Sequence, residues 1–249
     1  MNPDQDAFGK HLLAQYEALS KGEPITAEIV ERDDNYVDLG SLSRMYFSEY
    51  EEWSALEQQL VDRAKGKILD VGCGAGRHSL YLQKQGFDVV GIDNSAGAIE
   101  VSKKRGLKNA LIRPIEEIDE FQPDSFDTIL MLGNNFGLFG DAENAKLILK
   151  KMDRITTQDA QIIAKTVNPY MTDDEAHLIY QKRNKKLGRM TGQIRLRIRY
   201  RQIIGKWFDY LFVSPEEMKA IIHDTEWKIE ELIDPDEADY FAVIKKQDA

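Results

Sequence analysis

The chain has 249 residues, 42% of them hydrophobic, enough for one large domain or for a domain with a substantial extension. Its net charge of −10 argues against a protein whose whole surface grips a phosphate backbone, because the long-range field would repel it. One cysteine, Cys73, excludes an internal disulfide and suits a reducing compartment; no apolar run approaches the roughly 18–20 residues that cross a bilayer. Met1–Lys10 carries two aspartates and no apolar segment, so it does not read as a leader. A cytoplasmic, soluble chain without membrane contact is expected.

In chain order, Phe8, Leu12, Leu13, Tyr16 and Leu19 recur at helical spacing until Gly22-Glu23-Pro24 breaks the pattern. Glu31–Asn35 reads as a polar loop. Trp53, Leu56, Leu60, Val61 and Ala64 form a second apolar stripe, so residues 1–64 are expected to be a helical extension. From Lys67 the pattern changes. Lys67–Val71 is a short buried strand, followed by glycines and a helix over His78–Gln85. Asp88–Asp93 is a second strand, and Ser95 can cap the helix after it. Strands follow at Asn109–Arg113, Phe126–Leu132 and Gln161–Val167, with a helix over Leu147–Ile155 between the last two. Such alternation implies a parallel sheet with helices on both faces.

The end of the chain differs. Ile194–Arg201 alternates strictly between apolar and charged residues, as a strand with two unlike faces does. A turn at Gly205-Lys206 would fold it back onto Trp207–Val213. Ser214-Pro215-Glu216-Glu217 combines a cap, an early proline and a capping-box glutamate, a helix start. Trp227–Ile233 and Tyr240–Lys245 read as two closing strands.

The chemistry concentrates in Asp70-Val71-Gly72-Cys73-Gly74-Ala75-Gly76, where a strand enters a glycine turn and then a helix. Such a turn lets a ligand approach the backbone closely. Dinucleotides and S-adenosylmethionine are the two ligand classes that use it. The dinucleotide pattern wants a third glycine where this chain has Arg77. Asp93, 17 residues beyond Gly76 at a strand end, can accept both hydroxyls of a ribose. An acidic corner of Asp70 and Asp93 suits the positive sulfonium and ammonium of S-adenosylmethionine better than a pyrophosphate.

Ile68–Gly76, Val90-Gly91-Ile92-Asp93-Asn94-Ser95 and Ser125–Leu130, in this order and spacing, resemble three motifs of the class I S-adenosylmethionine-dependent methyltransferases. The resemblance covers roughly residues 65–170. It implies a Rossmann-like α/β fold with a seven-stranded, mostly parallel sheet whose last strand is reversed. The methyltransferase domain would then span 65–249, with S-adenosylmethionine as donor and S-adenosylhomocysteine as product. It further implies that the backbone around Gly72 and Gly74 holds the methionine end and Asp93 the ribose, with Asp70, Cys73 and Asn94 also among the cofactor-binding residues. Ile115, Glu116 and Leu132 would flank the rest of the cofactor. Many members place an aspartate near the adenine, where this chain has Arg113-Pro114-Ile115-Glu116-Glu117. By the same resemblance the segment 1–64 acts as a lid, with Tyr50 closing over the cofactor.

Catalytic residues are hard to read in this class, because an activated methyl needs alignment more than acid–base help. Asn134, after the fourth strand, and Tyr170 and His177, after the fifth, are the candidates. The Asn/Asp-Pro-Pro-aromatic motif of members that methylate planar amino groups is absent at 133–137. The four histidines, His11, His78, His177 and His223, show no metal-ligand spacing.

Residues 181–206 carry ten Lys and Arg and no acid, in what is expected to be a basic hairpin insert over 181–213. Its arginines would suit RNA or another anion, or they would be neutralised within the protein. Sparse aromatic partners for bases favour the second reading. Three functions are open: methyl transfer to a small molecule, methyl transfer to nucleic acid, and cofactor binding without transfer, by a monomer or homodimer.

Overall fold

The computed structural model describes residues 5–24, 27–40 and 43–247. Residues 1–4 and 248–249, at the outer ends of the two expected regions, and the pairs 25–26 and 41–42 lie outside the described residues. The chain forms two compact units, Met1–Pro114 with Leu196–Trp207, and Ile115–Arg195 with Phe208–Ala249.

In the first unit, helix α1 (Ala7–Lys21) starts where the Asp6 carboxylate accepts the Gly9 amide at 2.9 Å, and ends at left-handed Gly22. The expected apolar stripe is present: Leu12 is buried with Ala75, Ala98 and Val101, and Phe8, Leu13 and Tyr16 pack around them. Leu19, the last residue of that stripe, is exposed. A second buried side was not legible in the pattern. His11 and Gln15 are also buried, with His11 Nδ1 2.9 Å from Glu28 Oε2 and its ring 5.2 Å from that of Tyr200.

The segment 1–64 is not helical throughout, and of the expected polar loop at 31–35 only Asp33–Asn35 is a turn, Glu31-Arg32 being strand. Strand β1 (Ile29–Arg32) pairs antiparallel with the two-residue β2 (Val37–Asp38) and with a later strand, Gln193–Tyr200. Propensity undersold it because its partner lies more than 160 residues away. Helix α2 (Ala55–Val61), capped by Ser54, buries Leu60 and Val61 as the second stripe requires.

Strands β3 (Ile68–Val71), β4 (Val89–Asp93) and β5 (Asn109–Ile112) then run parallel in register. Between them lie α3 (Arg77–Lys84) and α4 (Ala96–Lys104), the latter capped by Ser95 as expected. β3 and β4 are buried along their whole length, which their near-continuous apolar runs require of a strand covered on both faces.

In the second unit, β6 (Phe126–Met131) pairs parallel with β7 (Thr156–Val167), and α5 (Ala142–Ile155) connects them. β7 is longer than expected. The helix hands over to the strand without a loop, and an irregularity between Phe126 and Thr128 of β6 absorbs the extra residues. Helix α6 (Glu175–Lys186) takes the first part of the expected hairpin insert 181–213, so that insert begins as helix.

The alternating segment is β8 (Gln193–Tyr200). Its return is made at Arg201, in a left-handed conformation, into β9 (Ile203–Ile204), rather than at Gly205-Lys206. β10 (Phe208–Leu211) follows, and the order of this smaller sheet is β10-β8-β1-β2. Helix α7 (Pro215–His223) carries the full capping box, with Ser214 Oγ accepting the Glu217 amide and Glu217 accepting the Ser214 amide. β11 (Trp227–Ile233) and β12 (Asp239–Lys246) complete a seven-stranded sheet of order β11-β12-β7-β6-β3-β4-β5. β12, the last strand, is antiparallel to both neighbours, as the resemblance implied.

Candidate functional site

The glycine turn leaves the carboxyl end of β3, the end at which parallel sheets place ligands. Gly72 and Cys73 donate their amides to Ile92 O of β4 at 2.9 and 3.0 Å, which fastens the turn to the neighbouring strand. Gly74 has φ +54°, and a Cβ there would meet no atom within 4 Å. Glycine is needed at 74 for its backbone conformation, and it leaves the peptide face uncovered for a ligand.

Asp93 closes the same corner. Its Oδ2 accepts the Gly74 amide at 3.0 Å and its Oδ1 accepts the Ser95 amide at 2.9 Å. Two backbone donors therefore fix the carboxylate, and each oxygen retains acceptor capacity. Burial pushes its pKa up to about 6; the charges of Asp6 and Asp70 add to the rise, and the two amide bonds oppose it. Asp70, buried in β3, is raised by burial as well, against the opposing field of His78 and the bond from Ser79 Oγ. Cys73 is buried, and burial with the fields of Asp70 and Asp93 drives its thiol pKa well up, so it is no nucleophile. Asn94, next to Asp93, is exposed. The structure thus brings Asp70, Gly72, Cys73, Gly74, Asp93 and Asn94 to one corner of the first unit.

Tyr50 has different neighbours. Its ring stacks on Tyr81 with centroids 4.2 Å apart, and its hydroxyl donates to Asp62 Oδ2 at 2.7 Å. The bond to Asp62 raises its pKa. Next to it, Arg77 lies over the Trp53 ring at 4.7 Å, donates to Ser48 Oγ and pairs with Glu57. His78 Nε2 is 2.8 Å from the same Glu57 carboxylate. Burial alone would raise Glu57; the bonds to His78 and Arg77 outweigh it and hold the pKa at about 2. Arg105 reaches Ala75 O in the turn at 2.8 Å and Glu49 Oε1 at 3.0 Å. Arg77 and Arg105 thus bolt the segment 45–53 to α3 and α4, work that no spacing rule assigns to either.

In the second unit Leu132 and Ile115 are buried, and Glu116 is exposed with its carbonyl accepting from Lys151. Asn134 sits at φ +68°, a conformation asparagine tolerates, and its carbonyl accepts the Tyr210 hydroxyl at 2.6 Å. Tyr170 Oη lies 2.9 Å from both Thr191 Oγ1 and Glu217 Oε1, and burial, first among the causes, raises its pKa. His177, in the first turn of α6, has Nδ1 3.3 Å from Thr172 Oγ1. These candidates each have their own partners. Among the described residues no cluster of three or more His, Cys, Asp or Glu is placed to hold a metal ion.

The arginines of β8 are paired within the chain. Glu31 of β1 accepts from Arg197 Nε and Arg199 Nη1, and Arg197 also lies 4.5 Å over the Trp207 ring. Arg195 faces Asp209 at 4.0 Å.

Comparison with known proteins agrees with this geometry. The family model described as a methyltransferase domain matches residues 62–224. The chain is 29% identical to an S-adenosylmethionine-dependent methyltransferase from Bacteroides fragilis, whose crystal structure is in complex with S-adenosyl-L-homocysteine. The match has a TM-score of 0.82 and covers 99% of this chain and 97% of that one. It is 34% identical over 114 residues to a probable S-adenosyl-L-methionine-dependent methyltransferase, TehB, of Haemophilus influenzae, covering 41% of this chain and 40% of that protein. It is 30% identical over 112 residues to a glycine/sarcosine N-methyltransferase of Halorhodospira halochloris, covering 43% of this chain and 42% of that protein. The chain thus spans about two fifths of the length of these two curated relatives. With a family model matched over well more than half its length, and with the glycine turn and fixed carboxylate at the strand ends, the chain belongs to the class I S-adenosylmethionine-dependent methyltransferases.

Proposed function

We propose that the protein transfers the methyl group of S-adenosylmethionine to a small-molecule acceptor, and that the corner of β3 and β4 binds the donor. The observation that carries the donor site is the Asp93 carboxylate, held by the Gly74 and Ser95 amides with acceptor capacity to spare. Two adjacent ribose hydroxyls match two fixed carboxylate oxygens. The uncovered peptide at Gly74 fits the close approach of the amino-acid end, and Asp70 with Asp93 favours the donor's positive charge. When bound, the donor supplies an electrophilic methyl on a sulfonium; attack in line with the C–S bond returns the bonding pair to sulfur. The chain's own part is to fix the donor and align the acceptor. Asn134 is our candidate for orienting the acceptor. Tyr170, whose phenol titrates above its ordinary range, is not assigned as a base, nor is His177. The roles given to Ile115, Glu116 and Leu132 rest on the resemblance alone.

A small acceptor is favoured over nucleic acid because Glu31 already occupies Arg197 and Arg199, two of the arginines on the basic strand. The name of the glycine/sarcosine relative points the same way. Calorimetry with S-adenosylhomocysteine tests the donor site. Asp93→Ala is expected to weaken binding by about 1.5–3 kcal/mol, the scale of hydrogen bonds to a charged group. Unchanged affinity would remove Asp93 from the ribose. Tight RNA binding that weakens steeply with salt would overturn the small-molecule reading.

A further inference from the structure

The hydrogen bonds of Asp93 do not end at Ser95. Ser95 Oγ donates to the Asp6 carboxylate, 2.8 Å from Oδ1 and 3.0 Å from Oδ2. Asp6 Oδ2 also accepts the Gly97 amide at 2.9 Å, and Oδ1 accepts the Gly9 amide at 2.9 Å. One buried carboxylate therefore caps α1 and also satisfies an amide in the first turn of α4, 91 residues away. The two helices meet there backbone to backbone. A Cβ on Gly97 would lie 2.6 Å from Gly9 Cα, and one on Gly9 would lie 2.4 Å from Asp6 Oδ2. Side chains are excluded from this crossing, so the carboxylate reaches Ser95 only while α1 is seated. An unbroken path then runs Asp6–Ser95–Asp93–Gly74.

We infer that Asp6 is a positioning residue for the donor site: it holds Ser95 and the head of α4 so that Asp93 stays aimed at the glycine turn, and it thereby couples the seating of α1 to donor affinity. The inference rests on the reading of Asp93 as the ribose ligand. Coupling of this kind is reciprocal, so the donor must also tighten α1. Asp6 has an electrostatic effect too. Of the charged groups on elements packed against Asp93, Asp70 of β3 and Asp6 act on it with their fields. β5 and the first turn of α4 carry no charged residue, and Arg77 and His78 of α3 are engaged by Glu57.

The test is calorimetric titration of the full chain with S-adenosylhomocysteine from pH 5 to 8, together with amide exchange over α1. Asp6→Ala is expected to raise the dissociation constant about tenfold, within the usual range for linked elements. Asp6→Asn, which keeps one acceptor oxygen and loses the charge, is expected to weaken binding less. It should also move the pH at which affinity is half lost to a lower value, a shift that a loss of fold stability alone does not produce. In the wild type the ligand should slow exchange in residues 7–21, and in Asp6→Ala that protection should disappear. If Asp6→Ala does not fold, Asp6→Asn and the wild-type exchange carry the test. Wild-type affinity and an unmoved pH profile in Asp6→Asn, or ligand-independent exchange in wild-type α1, would overturn the inference. Asp93→Ala run alongside separates the two readings: lost affinity there with none lost at Asp6 overturns this inference only, and affinity retained in both overturns the ribose assignment as well.

Discussion

The corner of Gly74 and Asp93 and the Arg197 and Arg199 side chains of β8 both belong to the first unit, and they are held by opposite means. At the corner, the main-chain amides of a glycine, Gly74, and of a helix cap, Ser95, fix a side chain. On β8, long flexible side chains are fixed by a single carboxylate, Glu31, 166 and 168 residues distant in sequence. The first arrangement stores its geometry in backbone conformation, which ligands can use repeatedly without reorganisation. The second neutralises charge and joins β1 to β8. A cluster of like charges is therefore a weak sign of function until its counter-ions are located, whereas a carboxylate fixed by amides with spare acceptors is a strong one.

That contrast can be broken at three points. The largest effect is expected from Gly74→Val: S-adenosylhomocysteine affinity should fall roughly a hundredfold, since the side chain covers the open peptide and adds ~1–2 kcal/mol of left-handed strain. Calorimetry that finds near-normal affinity would show that the ligand does not approach there. Next comes pH. With the Asp93 pKa raised from 3.8 to about 6, the folded apoprotein holds this proton more tightly than the unfolded chain does. The contribution of Asp93 to apo stability is therefore fully present below pH ~4 and lost as pH rises through ~6, at most about 3 kcal/mol. Ligand affinity runs the other way, rising with pH through the same window as the carboxylate ionises. Melting and binding curves that fail to cross in this manner, measured beside Asp93→Ala, would refute the assignment. The smallest effect is Glu31→Ala. It should cost about 1–2 kcal/mol of stability by denaturant titration, because two arginines lose a shared partner, and it should leave S-adenosylhomocysteine affinity unchanged. A loss of affinity would mean that the β8 face serves the donor site.

The sequence disclosed what is local. The glycine turn, the strand ending in Asp93, the Ser95 cap and the Ser214–Glu217 capping box are each written within a few residues, and each is found as read. What stayed hidden is what depends on remote chain. β1 is a strand because β8 pairs with it, and its polar Glu31-Arg32 reads as loop until Arg197 and Arg199 are placed beside it. The second buried side of α1 is built from His11 and Gln15, which no hydrophobic pattern would turn inward; Glu28 gives His11 its reason. Arg77 was informative as a missing glycine, but its attachment to Ser48, Trp53 and Glu57 required the fold. Neither the cap that Asp6 makes for α1 nor its bond to Ser95 was read from the sequence.

Cys73 has a consequence of another kind. It is the chain's only thiol, buried beneath the corner, and both burial and the carboxylates around it keep it in the unreactive form. An alkylating reagent can reach it only when the turn opens, so the labelling rate of the native protein measures how often that one corner breathes. The protein carries a built-in clock at the proposed donor site, read by mass spectrometry without any substitution, and a ligand seated there is expected to slow the clock in proportion to its occupancy.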